Sequence, residues 1–301
     1  MEAQDVKRQK LFSLLGDLPN SDFLRATTVN EVDKGHYVLE CLLLEPYENE
    51  QIPAYFARPK EASGKLPVVL FNHSHGGQYH VGKTEMIQSG AYLQPTSYAE
   101  QLTSMGYGVF CIDMLGFGER RGKAESEIFK ELLWKGQVMW GRMIFDNICA
   151  LDYLETRGDV DSLRIATLGM SMGGLMAWWL SALEERVKVC IDITGMVDAE
   201  TLVANQGLDY HGFYSYVPSL LKYFRTSDIQ SLIIPRYHLS VAGNHDRLTP
   251  FAGLQIINEE MMSAYAQAGV PERWKMIRYN CGHIETAGMR AEVCGFLKNN
   301  L

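Results

Sequence analysis

The sequence predicts an α/β fold built on a mostly parallel sheet, and three observations predict it. From about Lys65 onward, short apolar runs bounded by Gly and Pro alternate with stretches whose apolar residues recur every three or four positions. These are the patterns of buried strands and amphipathic helices in turn. Strands that alternate with helices pair in parallel and are covered on both faces. Third, residues able to do chemistry stand just after the strand ends, where such sheets place their sites.

Taken in order, PVVLFNH (from Pro67) is the first of these strands, followed by a helix over residues 98–105 that Gly106 stops. GVFCID (from Gly108) is the second. A long helical pattern then ends in Ile144, Ile148, Leu151 and Leu154, which share one face. RIATLG (from Arg164) is the third strand, with a helix over residues 172–183 behind it. VKVCIDIT, YHLSVAG and WKMIRYN complete the six, and the last helix carries Ala291, Val293, Cys294 and Phe296. Ahead of this core, within residues 34–58, VLECLLLEP and IPAYFARP predict an antiparallel pair. Residues 195–235 are too long for a simple connection. They hold the aromatic run DYHGFYSYVP and an apolar helix at 219–224, and they read as a lid over the strand ends. No repeat, low-complexity tract or linker divides the chain. Residues 1–301 are therefore expected to form one domain, with 1–50 as an N-terminal extension.

Composition narrows the function. At 47% hydrophobic and 21% charged, the 301 residues can bury a large core. A net charge of −8 argues against nucleic acid or an anionic membrane as partner, since both select basic patches. Lys7, Arg8 and Lys10 read as one solvated helix face. The first twenty residues are too charged for a secretory h-region, and no apolar run is long enough to span a bilayer. Cys41, Cys111, Cys149, Cys190, Cys281 and Cys294 show no C-x-x-C spacing. They are expected to be free, buried thiols in a reducing cytoplasm.

The chemistry centres on G-M-S-M-G, residues 169–173, with Gly174 directly after. A strand precedes this motif and an apolar helix follows it. A sharp strand-to-helix turn strains the serine backbone and leaves no room for side chains on either side, hence the glycines. The helix N-terminus adds free N–H groups and a positive dipole end for a developing oxyanion. Ser171 is thus the expected nucleophile. His283, in CGH after the last strand, is the expected base. Asp246, in GNHDRLTP after the strand before it, is the expected acid that holds the histidine. Ser, acid and His then follow in the order this arrangement requires. Asp192, at the end of the fourth strand, is the rival acid, and His245 is a bystander. One oxyanion donor is expected from the N–H of Met172, the other from the H-S-H-G-G loop at Gly76 or Gly77.

Together, His75-Gly76-Gly77, G-M-S-M-G-G, G-N-H-D-R-L-T-P and C-G-H resemble the α/β-hydrolase superfamily. Within it, D-M-L-G-F-G-E-R (from Asp113) is similar to a turn of the branch that holds dienelactone-hydrolase-like proteins and acetyl xylan esterases. The resemblance spans residues 50–301. It implies the α/β-hydrolase fold with a small lid insertion, and a carboxylic ester hydrolase that needs no cofactor or metal. Dienelactone hydrolase proper has a cysteine nucleophile. Ser171 in its place favours ordinary esters over a lactone, and the H-S-H-G-G loop departs from the acetyl xylan esterase pattern.

The expected substrate is a small-molecule ester with a short acyl chain. His75, Tyr210, Phe213, Tyr214 and Tyr216 are candidates to line its pocket. Trp134 and Trp140 are expected in the core, and Arg120 and Arg121 in structural salt bridges. Three other readings stand beside the serine esterase. The His73/His75 pair, with His80, Asp246 and His283 near it, could hold the metal of a metal-dependent hydrolase. The chain could be a serine exopeptidase of the prolyl-oligopeptidase-like branch. It could also be a binding protein on a hydrolase scaffold.

Overall fold

The computed structural model describes residues 2–20 and 25–301. Residues 1 and 21–24, part of the expected N-terminal extension, lie outside the described residues. Strands β1 (Arg25–Asp33), β2 (Tyr37–Glu45), β3 (Ile52–Pro59), β4 (Leu66–Asn72), β5 (Gly108–Ile112), β6 (Val160–Met170), β7 (Val187–Ile193), β8 (Tyr237–Gly243) and β9 (Trp274–Tyr279) form one sheet. Their order is β1-β2-β3-β5-β4-β6-β7-β8-β9. Strands β4 to β9 pair in parallel, and β1, β2 and β3 add an antiparallel ribbon through the β3–β5 edge. All six predicted core strands are present, and the predicted antiparallel pair is β2 and β3. Strand β1 was not anticipated. Almost every side chain of RATTVNEVD is exposed, so no alternation of apolar and polar residues marks it.

The helices are α1 (Glu2–Ser13), α2 (Glu85–Gln88), α3 (Tyr98–Ser104), α4 (Glu125–Trp134), α5 (Met139–Thr156), α6 (Met172–Leu183), α7 (Ala199–Ala204), α8 (Leu220–Tyr223), α9 (Thr226–Gln230), α10 (Phe251–Gln267) and α11 (Ala287–Asn300). Side chains of a strand point alternately to opposite faces, and the sheet accordingly separates two cores. Val68, Leu70 and Phe110 pack with Leu11, Trp140, Ile144, Met176 and Leu254 from α1, α5, α6 and α10. Val69, Phe71 and Val109 pack with Tyr98, Leu102, Val293 and Leu297 from α3 and α11. Helical cover on both sides is why β5 is buried along its whole length.

Three expectations are corrected here. Arg8 is not part of a solvated face. Its side chain is 11% exposed, and its guanidinium donates to the carbonyls of Ala182 and Leu232, which docks α1 on the core. Trp134 is not in the core. It ends α4 and is 95% exposed, whereas Trp140 is fully buried. All six cysteines are free, but only Cys111, Cys149 and Cys190 are buried. Arg120 does form the expected salt bridges, to Asp146 and Glu50 at 2.8 and 2.7 Å. Among the described residues, no helix is long and apolar enough to cross a membrane.

The sheet order also fixes where a site can form. From β4 the chain moves to β5 on one side and then to β6 on the other. The loops that leave β4 and β6 therefore part in opposite directions, and their divergence opens a crevice at the carboxyl ends of the strands.

Candidate active site

Ser171 occupies that crevice, on the turn between β6 and α6. Its backbone sits at φ 55°, ψ −119°, a conformation that L residues rarely adopt. The turn is pinned from both sides. The Ser171 N–H donates to Ile193 O of β7 at 2.8 Å, and its carbonyl accepts the Leu175 N–H at 2.8 Å. Gly173 has to be glycine, because a Cβ there would lie 1.9 Å from Asn72 O at the end of β4. The helix can start this close to the sheet only without that side chain.

His283 and Asp246 converge on the serine from the loops after β9 and β8. His283 Nε2 lies 2.8 Å from Ser171 Oγ, and His283 Nδ1 lies 2.6 Å from Asp246 Oδ2. With the Nδ1 proton on the carboxylate, Nε2 is free to accept from the serine hydroxyl. Burial acts to raise the Asp246 carboxyl. The hydrogen bond and charge of His283, with the Leu248 N–H on Oδ1 at 2.9 Å, outweigh it and hold the pKa below the ordinary carboxylate value. Asp192 is elsewhere. Fully buried within β7, it accepts from His238 Nε2 at 3.0 Å and from the Ser240 hydroxyl at 2.9 Å. His245 bonds Asn280 on the exposed side of its loop.

The loop after β4 brings amides toward the same point. The Ser74 N–H is taken by Glu85 Oε2 at 2.7 Å, and the Gly77 N–H by His75 Nδ1 at 2.9 Å. This corrects the expectation for Gly77, whose N–H already has an acceptor. Gly76 keeps a positive φ of 53°, and a Cβ there would lie 2.4 Å from the ring of Tyr92. Met172, the first residue of α6, has no acceptor one turn back for its N–H.

These groups surround a cavity of about 280 Å³, lined by Ser171, His283, Met172, His75, Gly76 and Gly77 among others. Tyr210 and Tyr214, from the 195–235 segment, also line it. Phe213 does not. It turns outward, half exposed, and packs on Phe129 of α4. Tyr216 lines the neighbouring cavity instead. His75 donates from Nε2 to the Tyr214 hydroxyl at 3.3 Å. Burial, with His73 and His283 nearby, pushes its pKa down to about 4, so the ring is neutral at pH 7.

The His73/His75 pair does not face one point. His73 Nδ1 bonds Ser74 O at 2.8 Å, and its Nε2 accepts the Met114 N–H at 3.0 Å. Both of its nitrogens are committed to backbone, those of His75 are committed as above, and His80 is exposed. Among the described residues, no three His, Cys, Asp or Glu side chains gather as a metal site. The turn at Asp113 is structural too, with Oδ1 accepting the Lys83 N–H and Oδ2 the Lys83 ammonium, both at 2.7 Å.

Sequence reasoning missed Glu85, Tyr92 and His211. Tyr92 lines the cavity, donates its hydroxyl to Glu85, and accepts the Glu285 N–H on its carbonyl at 2.8 Å. His211 lines the cavity with a buried Nε2 that has no hydrogen-bond partner among the described residues. Glu85 and Tyr92 lie in no motif, and His211 sits inside the aromatic run DYHGFYSYVP, where only its tyrosines and phenylalanine stood out.

The dienelactone hydrolase family matches residues 52–208. The chain belongs to that family. A lactone is a cyclic ester, and the chain is accordingly a carboxylic ester hydrolase of the α/β-hydrolase fold. Ser171 lies within the matched segment, and Asp246 and His283 lie beyond it. The chain is also 52% identical over 292 residues to the protein named "Putative hydrolase YtaP" of Bacillus subtilis (strain 168), covering 97% of this chain and 98% of that one. Among solved structures, a glucuronoyl esterase from Solibacter usitatus superposes with a TM-score of 0.69 at 16% identity, over 97% of this chain and 91% of that one. An acetyl xylan esterase from Paenibacillus sp. R4 gives 0.63 at 18%, over 100% and 95%. At such identities these two show a shared fold.

Proposed function

We propose that the protein hydrolyses carboxylic esters of small molecules through an acyl-enzyme on Ser171. The hydrogen-bonded run Ser171–His283–Asp246 carries the reading. His283 Nε2 takes the serine proton as Oγ attacks the ester carbonyl, and Asp246 stabilises the imidazolium that forms. The amide of Met172, with that of Gly76 across the cavity, receives the oxyanion. His283 then gives its proton to the departing alcohol. Water, activated by the same histidine, releases the acid and restores the serine. No step calls for a cofactor.

Residues 195–235 act as a lid in this reading, since Tyr210, His211 and Tyr214 wall the cavity above the serine. Six unpaired thiols suit a cytoplasmic site of action.

The test is labelling with a fluorophosphonate beside turnover of p-nitrophenyl acetate. Wild-type protein should label at Ser171 and hydrolyse the ester. Ser171→Ala should lose the label and about 10⁵-fold or more of kcat while its melting temperature stays within a few degrees. Turnover that survives the substitution, or that a chelator abolishes in unlabelled protein, overturns the proposal.

A further inference from the structure

The catalytic cavity abuts a second one. This neighbour, of about 360 Å³, lies beneath the 195–235 segment and shares Leu175, Val197, His211 and Ser215 with the first. Its walls include the Trp178 and Trp179 rings of α6 and the side chains of Leu202, Val217 and Ile229. Most polar atoms around it are already paired, the exception among the described residues being His211 Nε2 on the wall shared with the first cavity. Trp178 Nε1–H donates to Gly195 O at 3.1 Å, the Tyr216 hydroxyl donates to Leu208 O at 2.8 Å, and the Thr226 hydroxyl accepts the Ala199 N–H at 3.1 Å. Walls paired off in this way offer a ligand mainly apolar contact. The one lysine of the lining, Lys222, stands at an exposed rim beside Leu221.

Position decides which half of an ester reaches this cavity. Leu175 lies about one helical turn beyond Ser171, so the shared wall stands next to the attacked carbonyl. His283 must reach the leaving oxygen, and it lines the first cavity but not the second. The alcohol therefore stays on the His283 side, and the acyl chain is the part that runs past Leu175.

We propose that the second cavity is the acyl-chain site and that the substrates are esters of uncharged, medium-length carboxylic acids. The inference rests on the Ser171 ester-hydrolase reading and widens the short-chain expectation from the sequence. Each methylene that leaves water adds to binding, so kcat/KM should climb along p-nitrophenyl acetate, butyrate, hexanoate and octanoate, by about tenfold or more overall. It should stay flat along acetates of lengthening alcohols. Ala199 faces the second cavity and not the first. Ala199→Phe should collapse the octanoate-to-acetate ratio toward one, and Ala199→Leu gives the same reading with a smaller filler if the ring prevents folding. Wild-type enzyme supplies a readout that needs no variant: free octanoate should inhibit acetate hydrolysis competitively, and more strongly than butyrate. A flat acyl series with octanoate no better an inhibitor than butyrate overturns the proposal. So does a climb along the alcohol series, which would assign the cavity to the alcohol. Failure of the underlying reading is separate, and would appear as acetate hydrolysis that persists in Ser171→Ala.

Discussion

At Asp246 and Asp192, two aspartates at the carboxyl ends of apolar strands, one in the loop after β8 and one within β7, have been given different work by their neighbours. Asp246 holds His283, whereas Asp192 is locked to His238 and Ser240 inside the sheet. Asp246→Asn should cut kcat by on the order of 10³–10⁴-fold with little loss of stability, because the amide favours the wrong histidine tautomer. Asp192→Asn should do the reverse. It breaks a buried charged pair, which costs about 3–5 kcal/mol, and it leaves kcat of the folded protein within tenfold. Steady-state kinetics beside thermal melts of both variants separates the roles, and an exchange of the two phenotypes would move the acid to Asp192. Gly76 is the other informative residue. Gly76→Ala places a methyl against Tyr92 at positive φ. It should lower stability by about 1–3 kcal/mol and reduce kcat more than it raises KM, since the loop amide is displaced from the oxyanion.

Between elements, Tyr92 ties two loops that the chain keeps far apart. Its hydroxyl reaches Glu85, whose other oxygen holds the Ser74 N–H in the loop after β4, and its carbonyl holds Glu285, two residues after His283. We read Tyr92 as a positioning residue that keeps the loop after β4 and the loop after β9 in register. Tyr92→Phe should reduce kcat several-fold with KM nearly unchanged and cost about 1–3 kcal/mol, the penalty for a buried partner left unmet. An unaltered kcat would make the contact purely structural. The long helices and buried strands were legible because each repeats one period over many residues. Tyr92 was not, because its role depends on partners 7, 18 and 193 positions away that meet only in the folded chain.

Across the whole molecule, stability should depend on pH through the same network. Burial pushes the Glu85 carboxyl up to about 7, against the pull of the Tyr92 hydroxyl and the Ser74 N–H, with Glu285 adding to the rise. A raised folded pKa means that the folded state keeps the proton longer than the unfolded chain does. The stability this lends is fully present below pH 4.5, the ordinary value, and is lost as pH rises through about 7. A shift of this size corresponds to on the order of 3 kcal/mol. Glu85→Gln carries no such charge, so its melting temperature should gain on wild type as pH goes from 5 to 8. A constant difference across that range would remove Glu85 from the pH response.

The sequence by itself determined the βα alternation, the strained Ser171 turn and the order of serine, acid and histidine. Those depend on local chemistry: apolar period, glycine where a Cβ cannot fit, and a reactive side chain after a strand. It also narrowed the proposed second oxyanion donor to a pair of glycines. The tertiary structure decided what those residues face. It set Asp246, and not Asp192, against His283, took the Gly77 amide for His75, turned Phe213 outward and set an apolar cavity beside the serine. The physical reason is that a hydrogen bond or a cavity wall belongs to groups brought together by sheet order, and sheet order is not written in any single stretch of chain.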